Sequence, residues 1–229
     1  GDELYIVVLT GTVTVQAQGK TWRDIGKRTS VFSGEAPYAV YVPAREAAQV
    51  VATTAAEIGV ARAPGEPGRE ARLIEPSTMK QSTRGEGLNT RYVCDILPQS
   101  EPADHLLVVE VRTPSGHSSS YPPHKHDIHD MPREADLEEI YYYRIDSTDG
   151  FGLQRLYTTD RSIDEAYVIK DGDLLLVPFG YHAFAVAQGY TGYYLNVLAG
   201  DEPVRTMQPS DDPKHAWVRA TWSDEMNAG

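Results

Sequence analysis

Two histidines stand two residues apart in the stretch SYPPHKHD, His124 and His126, and a third, His182, closes the stretch GDLLLVPFGYH far downstream. Side chains alternate across a strand, so the two-residue spacing puts both imidazoles on one face, where they can grip one ion. Pro122 and Pro123 hold the approach extended, because each proline fixes its own φ and pushes the residue before it out of the helical region. Glu139 opens EIYYYRI, a β-branched and aromatic run that reads as the next strand. Three imidazoles and a carboxylate suit a divalent first-row metal and leave coordination positions open for a substrate. A His-x-His pair by itself is commonly a surface pair. The metal reading gains its weight from Glu139 and from the element Gly172-x5-Pro178-x-Gly180-x-His182, each of which falls where a small β-barrel would bring it inward.

The elements that must position these side chains are short strands. EEIYYYRI, GFGLQRLYT, EAYVIKDGDLLLVP, HAFAVA and YYLNVLAG are each bounded by turn residues, the signature of an antiparallel sandwich or jelly roll. Upstream, residues 4–16, VFSG, YAVYVP, AAQVVATT and 55–63 continue the pattern, and helical periodicity is nearly absent, so the class is all-β. APGEPGREAR, rich in Pro, Gly and charge, reads as a linker over residues 64–72. It would divide an N-terminal half, 1–63, from a C-terminal metal-binding half, 73–229. VFSG…YAVYVP echoes VIKDG…LLLVP, which points to two related barrels. All seven histidines lie at or after position 105, so the first half cannot build the same site and reads as a structural or lost-site copy. The chain begins at Gly1 and enters a strand-like sequence almost at once, which reads as a first barrel clipped at its N-terminus. Residues 127–136 form an acidic, Pro-containing insertion long enough to be a flap over the site, with His129 on it.

With 229 residues the chain can bury a real core. Its net charge of −12 argues against nucleic acid or an anionic membrane as partner, since the long-range field repels polyanions, but a small anion needs only one local cation. Cys94 is the only cysteine, which excludes an internal disulfide and fits a reducing cytoplasm. No apolar run approaches the ~20 residues that cross a bilayer. The sequence leaves a homo-oligomer open.

The arrangement Gly116…His124-Lys125-His126…Glu139 followed by the Gly172 to His182 element resembles the two motifs of the cupin superfamily. Its gap from His126 to Glu139 is longer than usual and one residue is missing between Gly180 and His182. Together with LEEIYYYRI, GFGLQRLYT and YYLNVLAG, these features are similar to the 5-deoxy-glucuronate isomerase family of inositol catabolism, which has two cupin barrels. The resemblance implies an aldose–ketose isomerisation of 5-deoxy-D-glucuronate to 5-dehydro-2-deoxy-D-gluconate, at a centre held by His124, His126, Glu139 and His182. It also implies a metal that needs no redox change, for which zinc or manganese would serve. Alternation along the Glu139 strand puts Tyr141 and Tyr143 on the ligand side, as candidates to relay a proton. Lys125, between two ligands, faces the other way. For the substrate carboxylate, Arg155 with Tyr157 on the same face is the expected partner, and a one-residue slip in register would hand that role to Gln154. Arg161, Lys214 and His215 are further candidates. Two rivals use the same residues: an Fe(II)-dependent dioxygenase, and a sugar-acid-binding cupin with a vestigial site.

Overall fold

Short apolar runs punctuated by Gly, Pro and Asp give a chain whose regular structure is almost entirely strand. The computed structural model describes residues 1–201 and 204–223. It divides into two compact units, one of residues 1–80 and 95–108, the other of residues 81–94 and the chain from 109 onward. Among the described residues, no helix is long and apolar enough to cross a membrane.

The first unit contains β1 (Asp2–Thr10), β2 (Val13–Ala17), β3 (Lys20–Ile25), β4 (Tyr38–Val42), β5 (Ala48–Ala52), β6 (Glu57–Pro64) and β7 (Arg72–Ile74). They form two sheets, in the orders β6-β1-β4-β7 and β3-β2-β5. Period-two alternation turns Ile6 and Val8 of β1, Val13 and Val15 of β2, and Val40 and Val42 of β4 into one aliphatic core. Glu3 is fully buried and satisfied: Oε1 accepts the N–H groups of His105 and Leu106, both at 2.7 Å, and Oε2 accepts Asp104 N–H and the Tyr41 hydroxyl, both at 2.8 Å.

Two sequence expectations change here. Residues 64–72 do not separate two halves: β6 and β7, which flank the segment, sit at opposite edges of one sheet. Residues 95–108 then return to the same unit, so it is not confined to 1–63. A Pro/Gly-rich, charged composition marks any solvated connection and does not tell a loop across a sheet from a linker between domains. VFSG, read as a strand, is a turn in which Ser30 Oγ accepts the Phe32 N–H.

The remaining strands are β8 (Lys80–Arg84), β9 (Arg91–Leu97), β10 (Leu107–Thr113), β11 (Ser118–Lys125), β12 (Asp127–Asp130), β13 (Glu134–Asp136), β14 (Glu138–Ile145), β15 (Gly152–Tyr157), β16 (Asp164–Ile169), β17 (Leu174–Val177), β18 (Tyr181–Val186), β19 (Gly192–Ala199) and β20 (Ser210–Asp211). They form sheets of order β17-β14-β19-β10-β9-β8 and β16-β15-β18-β11-β20, with β12 and β13 as a separate hairpin. The two larger sheets share one core in the second unit. Val93, Val111, Tyr141, Tyr143 and Tyr194 from one sheet meet Leu156, Phe184 and Val186 from the other. This is the all-β barrel expected, and its interior is where the site lies.

Candidate metal centre

Register brings the donors together. His124 of β11 sits opposite His182 of β18, and His182 sits opposite Leu156 of β15. Glu139 of β14, paired with Val177 and Leu198, reaches inward from the other sheet. His126, Glu139 and His182 are all buried, and one donor atom from each lies within 4.8 Å of the other two. His124 borders this group: its ring centroid is 4.7 Å from that of His182 and 6.3 Å from that of His126.

Each imidazole is oriented by a backbone carbonyl that can only accept a hydrogen bond. Nδ1–H donates to Pro122 O from His124 (3.1 Å), to Leu137 O from His126 (2.8 Å) and to Gly180 O from His182 (3.0 Å). A proton fixed on Nδ1 leaves Nε2 as the free lone pair, the tautomer that ligates metals. Leu137 clamps His126 a second time, its N–H donating to the His126 carbonyl at 2.7 Å. Gly180 holds a positive φ of 100°, which suits glycine, and its N–H donates to Asp127 Oδ2 at 2.9 Å, fixing the turn that aims His182.

The electrostatics suit a cation. Burial, helped by neighbouring His182, pushes the His124 imidazole well below its ordinary value, so it stays neutral. Burial alone would raise Glu139, but the facing His182 and His126 rings override it and hold the carboxylate well below its usual range. Burial opposes charge on His126 as well, and the Glu139 carboxylate, 3.0 Å from Nε2, raises it instead. His182 Nε2 lies 2.8 Å from Glu139 Oε2 but makes no hydrogen bond, leaving a buried nitrogen without a partner. Such an orphan, with a carboxylate and two further imidazoles around it, fits a divalent ion held by His124, His126, Glu139 and His182.

Behind the donors lies a wall of phenols. The Tyr141 ring is 5.9 Å from His182 and stacks on Tyr143 at 5.6 Å. Ser120 Oγ is 3.0 Å from both the Tyr141 and the Tyr194 hydroxyls. Ser120 takes a positive φ of 49° at the start of a bulge, where residues 120–123 depart from the β18 register. The Tyr143 hydroxyl donates to Gln154 Oε1 at 2.9 Å, while Gln154 Nε2 is buried without a partner. Burial raises Tyr141 and Tyr143 well above the ordinary phenol value, reinforced by Glu139 for the first and Tyr194 for the second, so both remain protonated.

Arg155 is not at the site. On β15 the inward positions are Gln154 and Leu156, and Arg155 points outward to an ion pair with Asp164. Tyr157 shares that outer face, where its hydroxyl donates to Asp212 Oδ2 at 2.7 Å and Arg161 lies over its ring at 4.1 Å. Register parity decides the matter, and the run GFGLQRLYT, apolar on both faces, does not reveal it. Lys125 faces away from the donors as expected and binds Asp127 and Glu134. The 127–136 insertion is the β12/β13 hairpin, with His129 exposed on it. Ser120 and Tyr194 were not legible as site residues, because a bulge has no sequence period.

The comparisons with known proteins agree with this geometry. Residues 1–218 match the KduI/IolB family. The chain is 51% identical over 217 residues to the 5-deoxy-glucuronate isomerase of Geobacillus kaustophilus, covering 95% of this chain and 78% of the relative. It is 43% identical over 218 residues to that of Bacillus subtilis, covering 95% and 80%. A crystal structure of an IolB-like protein from Salmonella typhimurium superposes with a TM-score of 0.92 at 43% identity, covering 95% of this chain and 82% of that one. Bacillus subtilis oxalate decarboxylase superposes at a TM-score of 0.58 with 13% identity, covering 99% and 72%, a likeness of fold alone. An all-β chain with this donor set, matched along nearly its whole length, belongs to the KduI/IolB family of cupin-fold proteins.

Proposed function

We propose that this chain is a metal-dependent 5-deoxy-glucuronate isomerase acting in the cytoplasm, converting 5-deoxy-D-glucuronate to 5-dehydro-2-deoxy-D-gluconate. One observation carries the reading: three imidazoles with Nδ1–H tied to carbonyls cluster around a buried carboxylate, His126 and His182 presenting Nε2 to Glu139 at 3.0 and 2.8 Å with the His124 ring beside His182, in a chain half identical to curated isomerases of that name. The single cysteine, Cys94, is buried and can form no disulfide within the chain, which supports a reducing compartment.

The reaction moves one hydrogen from C2 to C1 and one from O2 to O1, with no net oxidation. A divalent ion such as zinc or manganese, held by His124, His126, Glu139 and His182, supplies Lewis-acid stabilisation of the negative charge that develops on the substrate oxygens. Tyr141, kept protonated by burial, packs its ring edge-on to His182, and its hydroxyl, with Ser120 and Tyr194 behind it, forms a chain that can pass the oxygen-borne proton and take it back. Tyr143 spends its hydroxyl on Gln154 and serves by packing. Arg155 and Tyr157, on the outer face, take no part.

The test is turnover of 5-deoxy-glucuronate, followed with oxygen uptake, before and after removal of metal by a chelator. Loss of activity on chelation, recovery with zinc or manganese, and no oxygen consumption support the reading. Full activity in the chelated protein removes the metal from the mechanism, and oxygen uptake makes the protein a dioxygenase.

A further inference from the structure

Five arginines of the second unit lie in ion pairs. Arg133, Arg144, Arg155, Arg161 and Arg219 each face an aspartate. Arg91 does not. Among the described residues its guanidinium makes one hydrogen bond, to the Asn89 carbonyl at 3.2 Å, and has no carboxylate within ion-pair reach. It is partly buried, and burial pulls it down to about 10, with Arg84 and Arg219 adding to the positive charge around it and Tyr194 and Asp211 offsetting only part of the shift. A guanidinium stays charged in a protein, so among the described residues Arg91 is a desolvated cation with no carboxylate bonded to it, acted on by Asp211 only from beyond ion-pair reach.

Its position is set twice over. On β9, Arg91 shares the inward face with Val93, which lies in the same core as Tyr141 and Tyr194, while Tyr92 between them is exposed. Arg91 interacts electrostatically with Tyr194, whose hydroxyl leads through Ser120 and Tyr141 to the His182 ring. From the other side, Asp211 pairs in register with His124 and binds Arg219, which lies 5.4 Å from the Trp222 ring. Arg91 lies 5.3 Å from the same ring. The indole thus carries two guanidinium groups, one bonded to Asp211 and one that feels Asp211 only at longer range.

We propose that Arg91, backed by Trp222, is the residue that binds the carboxylate of the sugar-acid substrate and so holds the opposite end of the molecule at the metal centre. The inference rests on the isomerase reading for the identity of the sugar acid, but the unmet charge that motivates it does not. A planar fork against an aromatic wall suits a carboxylate, and it places a local positive charge inside a protein of net charge −12.

The experiment compares wild type, Arg91→Gln and Arg91→Lys on 5-deoxy-glucuronate and on 5-deoxy-glucose, which lacks the carboxylate. Metal content is measured on each protein, and calorimetry records binding of the unreactive sugar acid D-gluconate. Loss of the charged fork should raise KM for the uronate roughly 30-fold with kcat held within about threefold. Preference for uronate over neutral aldose should collapse, metal content should stay unchanged, and gluconate binding should weaken in parallel. Arg91→Lys, with the charge but not the fork, should fall between, and it carries the test alone should Arg91→Gln not fold. Unchanged KM, preference and gluconate affinity in the variants overturn the proposal. A wild-type protein inactive on the uronate overturns the isomerase reading instead, and the gluconate arm then still decides whether Arg91 binds a carboxylate.

Discussion

The Nε2 atom of His182 lies 2.8 Å from Oε2 of Glu139 without bonding to it. Its ring proton is committed to Gly180 O, so a lone pair faces a carboxylate oxygen, an arrangement that is repulsive until a positive charge joins the two. Metal should therefore stabilise the fold as well as the reaction. At free metal about 100-fold above Kd, mass action adds about 2.7 kcal/mol, and Glu139→Gln should lose most of that gain. Thermal melts at stepped zinc or manganese concentrations, with metal analysis of each protein, check this; equal melting points with and without metal would count against the centre.

Tyr141 and Tyr143 stack on each other but should separate by function. Tyr143→Phe removes the donor to Gln154 and leaves a buried amide with no partner at either end, costing about 1–3 kcal/mol in urea unfolding while kcat changes little. Ser120→Ala breaks the link between Tyr141 and Tyr194 and should lower kcat about tenfold or more with metal content retained. Equal kinetic effects of both variants would refute the division of roles.

Arg155→Ala should be nearly silent. The side chain is 45% exposed, and among the described residues it pairs with Asp164 and lies 5.4 Å from the Tyr157 ring, so under about 1 kcal/mol of stability is at stake. KM for the uronate should stay at the wild-type value in steady-state assays.

Glu3 accepts four hydrogen bonds in the first unit, three of them from the consecutive N–H groups of residues 104–106. Glu3→Ala strands those donors in the interior and should cost about 3 kcal/mol or more. Denaturant titration reads the loss, and the folded fraction should keep its full metal content.

Asp212 gives the chain an acid limit. Burial would raise its carboxyl, but the Tyr157 hydroxyl and the Lys214 N–H override that and hold it below the usual range. A folded value below the unfolded one, ~3.9, means stability that is fully present above the unfolded value and lost as pH falls through the folded one. Tyr157→Phe should be less stable than wild type at neutral pH, and the gap should narrow as pH drops below about 4. Urea unfolding across that range tests the convergence.

The donor set could be read from the chain because its spacing follows the period of a strand: His124 and His126 share a face, and the turn at Pro178 and Gly180 delivers His182. Tyr141 and Tyr143 followed from the same alternation along β14. Arg155 did not, because both faces of β15 are rich in apolar residues and only pairing with β18 decides which points inward. Arg91 lies on a strand far upstream of the histidines, and nothing local ties it to them. The boundary at 64–72 failed for a related reason: composition records exposure to water, while the pairing of β7 with β4 is a long-range fact.

Ser210 and Asp211 pair with Lys125 and His124 as the outermost strand of their sheet. A nascent chain that has already emerged with His124, His126, Glu139 and His182 still lacks the ribbon that flanks His124. On the ribosome, then, the donor cluster stays unbraced until residues 210 and 211 have been translated, and a product that stops short of them would carry the candidate donors without that edge.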